Sequence, residues 1–510
     1  MAAWSPSSWW RKRSFWSKHY IVLLSLSFLF VLLFIVSSAD RLKSFLLLKA
    51  PSRPGYEEIQ CGPLTSSGAE SLSGERFLWY APHSGFSNQL SELRNAILFA
   101  AILNRTLIIP PVLDHHAVAL GSCPKFRVTS PSDLRAAVWD HTMDLVRDRR
   151  YISMADIVDL SRVASTRIKT IDFRVFASMW CGLNIDGTCW GSRCCAVSAF
   201  GSSIHKDPSH CRSLLSGLHG NVNGCIHSVE EDCRTTVWTY QEGNDGTLDR
   251  FQPNEQLQKR KKVSYTRNYR DLHKAFGPGS AAYKSKVLSF GSLFTSPYKG
   301  SELYINIHEA PNDPQIQSLI KDIEFLPLAP EIVSAGKEIA QNVIKDPFLC
   351  AQLRLLDGQF KNHWKITFSE LQQKLLALQS KRKENKDSRP IHVFIMTDLP
   401  YHNWTGTYLK VLVKDTKSYK LHTLNEKDEL VVEAAKRVMA AEHSLKMGFL
   451  PGNVNSANNV KVCSPATLPD ILLYIEEAVC SCASVGFVGT VGSTIAESIL
   501  LMRKNSMCKM

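Results

Sequence analysis

The chain has 510 residues, enough for two or three domains, and its 44% hydrophobic and 21% charged residues are typical of a globular protein with large cores. The formal net charge of +13 is compatible with nucleic acid, an anionic membrane or phosphorylated small molecules as partners, or simply with a solvated basic surface. The sequence contains no basic-aromatic nucleic-acid motif, so it gives nucleic-acid binding no support.

The N-terminal stretch predicts a membrane anchor. Residues 20–39 carry no charge and are long enough to cross a bilayer as a helix. Basic residues at 11–18 precede this run, and by the positive-inside rule they keep residues 1–19 in the cytoplasm. The alternative is a signal peptide cleaved near residues 37–39, although the apolar run is longer than usual for one. We therefore predict a single-pass type II protein of the Golgi or ER membrane, with the rest of the chain in the lumen.

A first α/β region is predicted for residues 76–346, after a luminal stem of residues 40–75 that has little periodicity. It opens with "RFLWYAP" (Arg76–Pro82), which predicts a strand. Apolar residues at helical spacing predict a helix from about Asn88 to Leu103, with Asn104 as its stop, and "TLIIPP" predicts the next strand. "SELYINIHEA" predicts a later strand.

Seven of the fourteen cysteines lie between Cys181 and Cys233, in a loop-rich insertion of about residues 178–240. In an oxidising lumen they predict a disulfide framework whose connectivity the sequence leaves open. A zinc site is the alternative, but no CxxC pair occurs there. Asn403 and Asn104 begin N-glycosylation sequons, and the second falls between a helix and a buried strand, which argues against its use.

A second α/β region is predicted for residues 347–510. "FLCAQLRL" and "IHVFIMTD" predict strands, and Thr367 with Glu370 resembles a capping box that starts the helix "FSELQQKLLALQ". Further helices are predicted over about 426–445 and after Asp470, and "VGFVGTVGSTIAESILLMR" predicts a strand, a glycine loop and a helix. The repeated alternation predicts an α/β fold with parallel sheets, in which ligands bind at the carboxyl ends of strands beside a cleft.

The glycine loop is a candidate phosphate site. Gly489 permits close approach, and the helix that begins at Ser493 and Thr494 offers free N–H groups and a partial positive charge. The alternative is an ordinary turn with Ser493 as N-cap, because the loop matches neither the P-loop nor the GxGxxG pattern.

Polar residues at other element ends are further candidates. Arg354 ends a strand, where its guanidinium suits a diphosphate, or else an ion pair with Asp357. Asp398 ends the next strand and suits a base or ribose, or else a helix cap. Asn88 and Gln89 follow Gly85 and are interpreted either as a hydrogen-bonding pair that faces the cleft or as N-capping residues.

Three ordered motifs span Pro82 to Arg503: "GFSNQ…ILNRTLIIPP", "QLR" and "FVGTVGSTIAESILLMR". They resemble, respectively, the N-terminal signature, the His-x-Arg and the C-terminal helix start of the GDP-fucose protein O-fucosyltransferase family. The stretch "HSGFSNQLSELRNAILFAAILNRT" is most similar to the plant-type branch. Gln352 stands where the family has His, and Ser84-Gly85 stand where the animal type has Gly-Arg.

The resemblance implies a GT-B-like fold, with two Rossmann-like domains facing a cleft, and an inverting enzyme that needs no metal or other cofactor. The sequence contains no Asp-x-Asp triplet, the usual metal-diphosphate clamp of the other glycosyltransferase fold. By this resemblance Arg354 stabilises the leaving diphosphate, Ser493 and Thr494 bind its phosphates, Asp398 helps to hold the nucleotide, and Asn88 orients the acceptor hydroxyl or the reacting phosphate. The predicted substrate-binding set is completed by Gly85, Gln89, Gln352 and Gly489.

The leading hypothesis is a luminal enzyme that transfers fucose from GDP-fucose to a hydroxyl of a protein or glycan acceptor. A UDP-rhamnose-dependent rhamnosyltransferase of cell-wall polysaccharide is an alternative with the same fold, and the sequence does not separate the two. A catalytically silent glycan-binding protein is a third hypothesis, since Gln352 replaces an ionisable residue.

Overall fold

The computed structural model leaves the predicted tail, the membrane anchor and most of the stem and Cys-rich insertion outside the described residues. None of the helices in the part of the chain that it describes is both long and apolar enough to cross a membrane. The described residues are 74–114, 117–118, 131–164, 168–181, 183–184, 198–199, 208–218, 220–222, 224–229, 267–268, 272, 275–293, 305–306, 313–356, 364–385, 388–447, 468 and 470–509.

Strands and helices alternate along the chain, as the sequence predicts. The strands are β1 (Phe77–Trp79), β2 (Thr106–Ile109), β3 (Thr170–Asp172), β4 (Leu183–Asn184), β5 (Ser198–Ala199), β6 (Ile226–Ser228), β7 (Arg267–Asn268), β8 (Val287–Ser289), β9 (Ile305–Asn306), β10 (Phe348–Leu353), β11 (Ile391–Thr397), β12 (Tyr419–His422) and β13 (Gly486–Gly489). The helices are α1 (Phe86–Leu103), α2 (Pro131–Arg147), α3 (Met154–Ile157), α4 (Ser161–Ala164), α5 (Phe173–Cys181), α6 (Pro208–Ser216), α7 (Ala281–Lys284), α8 (Pro314–Glu324), α9 (Pro330–Glu338), α10 (Trp364–Glu384), α11 (Tyr408–Lys414), α12 (Glu429–Ala441), α13 (His443–Met447), α14 (Ile471–Ser481) and α15 (Thr494–Lys504). A π-helical turn (Ile339–Ile344) continues α9, and 3₁₀ turns cover Tyr401–Trp404 and Met507–Lys509.

The first sheet has five parallel strands in the order β3–β2–β1–β8–β6. Its central strand β1 is buried along its whole length, as expected for a parallel sheet covered on both faces. Helix α1 covers the sheet, and the predicted stripe of Leu90, Leu93 and Ile97 lies in the core. Asn104 ends α1 in the left-handed conformation, which confirms the predicted stop.

The second sheet has four parallel strands in the order β12–β11–β10–β13. The fully buried β10 lies between β11 and β13, and its register pairs Leu353 with Thr397 and Gln352 with Gly489. The chain segments that follow these three strands therefore leave the sheet side by side. This edge brings the residues after β10, β11 and β13 together.

Two helix starts differ from the prediction. Helix α1 begins at Phe86, so Asn88 lies inside its first turn. Helix α10 begins at Trp364, and Thr367 is a buried helical residue and not the first residue of a capping box. The indole N–H of Trp364 donates to the Leu355 carbonyl (2.5 Å), a tertiary contact that a local capping pattern does not reveal.

The later helices also differ in detail. The helix predicted over 426–445 is divided into α12 and α13 at Glu442, whose φ of 49° is left-handed. Asp470 precedes α14 but makes no side-chain capping hydrogen bond. The predicted division at residue 346/347 falls just before β10, yet α9 already packs on α14, since a Cβ added at Gly336 would lie 2.5 Å from that of Ala478. The domain boundaries themselves stay predictions.

Disulfides occur in both regions. Cys181 pairs with Cys211 and Cys225 is also disulfide-bonded, which agrees with the predicted framework as far as the described residues extend. The sequence interpretation did not anticipate the pairs in the second region, which are Cys350–Cys480 and Cys482–Cys508.

Candidate functional site

The loop after β10 carries Arg354 at the edge where three strands end. The backbone N–H of Arg354 donates to Oγ1 of Thr490, which follows β13 (2.9 Å). On the other side, Asp398 follows β11 and accepts from the N–H groups of Leu355 (2.7 Å) and Leu356 (3.0 Å). Side chains from the two neighbouring strand ends thus hold three consecutive N–H groups. The structure brings the predicted Arg354, Asp398 and glycine loop together.

Gln352 lies inside the sheet and is 3% exposed. Its side-chain Oε1 and its carbonyl oxygen both accept from the backbone N–H of Thr490 (3.2 and 3.0 Å). The same carbonyl also accepts from Thr490 Oγ1 (3.2 Å). Gln352 therefore fastens the glycine loop to β10, and its contact with a substrate stays a prediction.

Thr490 is a residue that sequence reasoning missed. It is 1% exposed and forms the hydrogen bonds that join β10 to the glycine loop. The available signal was its position directly after Gly489, at a strand end beside candidate residues. That position indicates a turn, but it does not show that the Thr490 hydroxyl forms hydrogen bonds with β10.

The start of α15 has the features of an anion site. Ser493 is its N-cap residue and is fully buried, and its hydroxyl makes no hydrogen bond within the described part of the chain. Free N–H groups at the start of this 11-residue helix, of which Thr494 is the first residue, carry partial positive charge. Phosphate oxygens would satisfy both the hydroxyl and these N–H groups.

Gly489 is required by packing. A Cβ at this position would lie 2.6 Å from the Cβ of Ala496 and 2.7 Å from the ring of Phe487, both too close for unshifted atoms. The glycine thus lets the loop lie directly on its own helix. A cavity of about 660 Å³ opens beside the loop, and its charged lining residues are Glu370 and Lys374 of α10 and Glu497 of α15.

The turn before α1 is held by Gln89. Ser84 in this turn has a left-handed φ of 63°, which is unusual for a residue with a side chain. Gln89 accepts from the N–H of Leu113 (2.9 Å) and donates to the carbonyls of Leu113 (2.9 Å) and Ser84 (2.8 Å). Gln89 is 0% exposed, and its amide joins the turn to the loop after β2. Its contact with a substrate stays a prediction.

Asn88 differs from its neighbour. It lies in the first turn of α1, is half-buried, and its side chain has no hydrogen bond to any residue that the structure describes. Gly85 precedes the helix as N-cap residue, in an extended conformation without a side-chain cap. Of the predicted pair, Asn88 therefore has the amide that is available to a substrate.

A buried polar network lies under this turn. Nε2 of His83 is 2.9 Å from Oγ of Ser292, and that hydroxyl donates to Oε1 of Glu92 (2.8 Å). Glu92 Oε2 accepts from the backbone N–H of His83 (3.0 Å). Burial lowers the pKa of His83 to about 3, so its ring is neutral near pH 7. The sequence signal was Glu92, a charged residue within the apolar stripe of α1.

The first turn of α1 meets the second region. The ring centroids of Phe86 and Tyr474, which lies on α14, are 4.5 Å apart. Phe86 and Tyr474 are both buried, and they belong to one hydrophobic core that includes both sheets. This contact places the segment with Asn88 beside the helices of the second sheet.

The two sequon asparagines are both exposed. Asn104 is the C-cap residue of α1, whereas Thr106 of the same sequon is buried and donates to Glu75 (2.8 Å). Asn403 lies in a 3₁₀ turn beside the buried Trp404. Glycosylation at either site stays a prediction.

Within the described ranges, no group of three or more His, Cys, Asp or Glu side chains could hold a metal ion. The predicted independence from metals still awaits a test.

Comparison with known proteins gives one full-length relative and several distant structures. O-fucosyltransferase 30 of Arabidopsis thaliana is 50% identical over 511 residues, which covers 99% of this chain and 97% of that protein. A crystal structure of POFUT1 in complex with GDP-fucose has a TM-score of 0.37 at 12% identity and covers 84% of this chain and 94% of POFUT1. A complex of POFUT1 with GDP has a TM-score of 0.36 at 11% identity and covers 85% of this chain and 96% of POFUT1. No family model matches the chain.

Proposed function

The chain belongs to the O-fucosyltransferase family, and on that premise we propose that it transfers fucose from GDP-fucose to a hydroxyl of a protein or glycan acceptor. The observation that carries the proposal is the meeting of Arg354 with the glycine loop at the ends of β10 and β13. Beside them, the buried hydroxyl of Ser493 lies at the start of α15. This edge can bind a diphosphate and stabilise the charge that grows on it.

The proposed reaction inverts the sugar. The acceptor oxygen attacks C1 of fucose while the bond from C1 to the β-phosphate oxygen breaks. The electron pair of that bond leaves with GDP, and the hydroxyl proton of the acceptor passes to the departing diphosphate or to solvent. Arg354 and the N–H groups at the start of α15 then stabilise the growing negative charge more than they stabilise the bound donor. Asn88 can accept a hydrogen bond from the acceptor hydroxyl and orient it, but a neutral amide does not take its proton.

The positive groups at this edge make a divalent metal unnecessary in the proposed reaction. The guanidinium of Arg354 can contact two diphosphate oxygens at once, and the start of α15 adds partial positive charge. Turnover in EDTA should therefore equal turnover in manganese. Loss of turnover in EDTA that manganese restores would contradict this part of the proposal.

Nucleotide release from purified full-length protein tests the proposed function. We expect GDP-fucose to release GDP above background, and an acceptor extract to increase this release. Release of UDP from UDP-rhamnose alone would overturn the fucosyl assignment in favour of rhamnosyl transfer. The absence of release from any donor would indicate a catalytically silent glycan-binding protein.

We also propose that the protein is a type II membrane protein of the Golgi or ER. The uncharged run of residues 20–39 and the basic flank before it support this topology. Protease treatment of sealed microsomes should remove an N-terminal tag and spare the rest of the chain. A protected N-terminal tag would contradict the topology.

A further inference from the structure

The loop that carries Arg354 is held from both sides by buried or bidentate contacts, and we infer that Thr490 and Asp398 are positioning residues for Arg354. The inference rests on the proposed function, because it assigns Arg354 to the departing diphosphate. Neither residue has to contact the substrate. Both act on the backbone from which the guanidinium extends.

The hydroxyl of Thr490 uses both its acceptor and its donor capacity. It accepts from the N–H of Arg354 (2.9 Å) and donates to the carbonyl of Gln352 (3.2 Å). The register of β10 and β13 explains this geometry, because Gln352 pairs with Gly489 and Thr490 is the first residue after β13. Thr490 is 1% exposed, so little water competes for these bonds.

Asp398 completes the hold from the β11 side. Each of its two oxygens accepts one backbone N–H, from Leu355 at 2.7 Å and from Leu356 at 3.0 Å. Hydrogen bonds to a carboxylate are roughly twice as strong as those between neutral groups. Asp398 therefore has a function in the site that does not require contact with a base or ribose.

These contacts determine where an arginine side chain can reach. The side chain of Leu355 is fully buried, and its carbonyl accepts from the indole N–H of Trp364 (2.5 Å). With the N–H groups of residues 354–356 held as well, the Arg354 backbone has one position relative to the glycine loop. Electrostatic stabilisation of a leaving group depends on such fixed geometry, and an error of about 1 Å can reduce the rate by about a hundredfold.

A double-mutant cycle separates positioning from a merely structural role. Thr490→Val should lower kcat by about tenfold or more and change donor KM less, because it misplaces a group that acts mainly in the transition state. In the Arg354→Lys background the same substitution should change kcat by less than about twofold, since the residue through which Thr490 acts is already impaired. If the double variant lowers kcat by the product of the two single-variant factors, the inference is overturned.

Two further variants control for folding. Thr490→Ser keeps the hydroxyl and should restore most of the turnover that Thr490→Val loses. Thr142 on α2 is also fully buried, and its hydroxyl donates to the Val138 carbonyl of the same helix (2.7 Å). Thr142→Val should therefore reduce thermal stability and leave kcat unchanged.

Hydrogen–deuterium exchange provides a readout without turnover. Thr490→Val should speed exchange in a peptide that covers residues 350–356, whereas Thr142→Val should not. Unchanged exchange at the Arg354 amide would overturn the inference even in an active enzyme. Lack of donor turnover by the wild-type protein would instead overturn the proposed function, so the two failures are distinguishable.

Discussion

The polar groups around the start of α1 and those after β10 and β13 differ in how they are used. Around the start of α1, the buried side chains of His83, Gln89 and Glu92 and the half-buried Ser292 bind one another or the backbone. After β10 and β13, side chains hold the backbone, Arg354 stays half-buried, and the buried hydroxyl of Ser493 makes no hydrogen bond to a described residue. The polar groups around the start of α1 therefore stabilise a shape, whereas after β13 the hydroxyl of Ser493 retains hydrogen-bonding capacity for a ligand.

Substitution of Arg354 should produce the largest effect on turnover. Arg354→Lys keeps the charge but loses the bidentate fork, which should cost on the order of 3 kcal/mol of transition-state stabilisation, or about a hundredfold or more in kcat. Donor affinity should fall less, because the start of α15 still holds the phosphates. Turnover and donor affinity are measured on the same protein, with circular dichroism to check the fold.

A matched control is available for this substitution. Arg212 forms a bidentate ion pair with Asp140 (2.6 and 2.7 Å) far along the chain from the strand ends of the second sheet. Arg212→Lys should leave kcat unchanged. Near-wild-type turnover in Arg354→Lys would remove Arg354 from the mechanism, and loss of folding would favour a structural ion pair.

Ser493→Ala should separate binding from stability. A hydrogen bond to a charged group contributes about 1.5–3 kcal/mol, so donor affinity should fall roughly tenfold to a hundredfold. The unfolding midpoint should be unchanged or higher, because the substitution removes a buried hydroxyl that has no partner among the described residues. Ser289, whose hydroxyl donates to the Leu215 carbonyl (2.8 Å), is the control, and Ser289→Ala should lower stability and spare donor affinity. Equal donor affinity in wild type and Ser493→Ala would remove Ser493 from the phosphate site.

Neighbouring residues of α1 offer the sharpest test of the contrast within one turn of helix. Gln89→Ala should lower the free energy of unfolding by about 1–3 kcal/mol, because it leaves buried backbone groups of the turn without partners. Asn88→Ala should change the free energy of unfolding by less than about 0.5 kcal/mol and reduce kcat. Denaturant unfolding and donor turnover are measured on both proteins. A stability loss in Asn88→Ala that matches that of Gln89→Ala would contradict the contrast.

Substitution of Glu477, which lies on α14, should have the smallest effect on turnover. Burial raises its pKa to about 8, although the hydroxyl of Ser498 donates to Oε2 (2.8 Å). A raised pKa means that the folded state binds the proton more tightly than the unfolded state. This contribution to stability is therefore full below about pH 4.5 and is lost as the pH rises through about 8. Between pH 6 and pH 9 the unfolding midpoint should fall more for wild type than for Glu477→Gln. An equal fall in the two proteins would contradict the burial of an ionisable carboxyl.

The sequence predicted those features that depend on local pattern. Apolar spacing and strand-end position predicted the strand–loop–helix unit around Gly489 and placed Arg354 and Asp398 at strand ends. The sequence pattern did not predict contacts between residues distant in the chain, because these depend on the order of strands in the sheet. The contact between Thr490 and Arg354 requires β13 to lie beside β10, and that between His83 and Ser292 requires β8 to lie beside β1. Thr367 matched a capping pattern, yet α10 begins earlier, at Trp364.

The pair Cys482–Cys508 closes a covalent ring that contains β13, the glycine loop and α15. Cross-links that close loops of this size typically stabilise a fold by about 3 kcal/mol, mainly by restricting the unfolded chain. Cys508 thus helps to hold β13, the glycine loop and α15 in place although it lies beyond all three. A truncation that removes Cys508, or production in a reducing host cytosol, would open this ring without altering any residue of the candidate site.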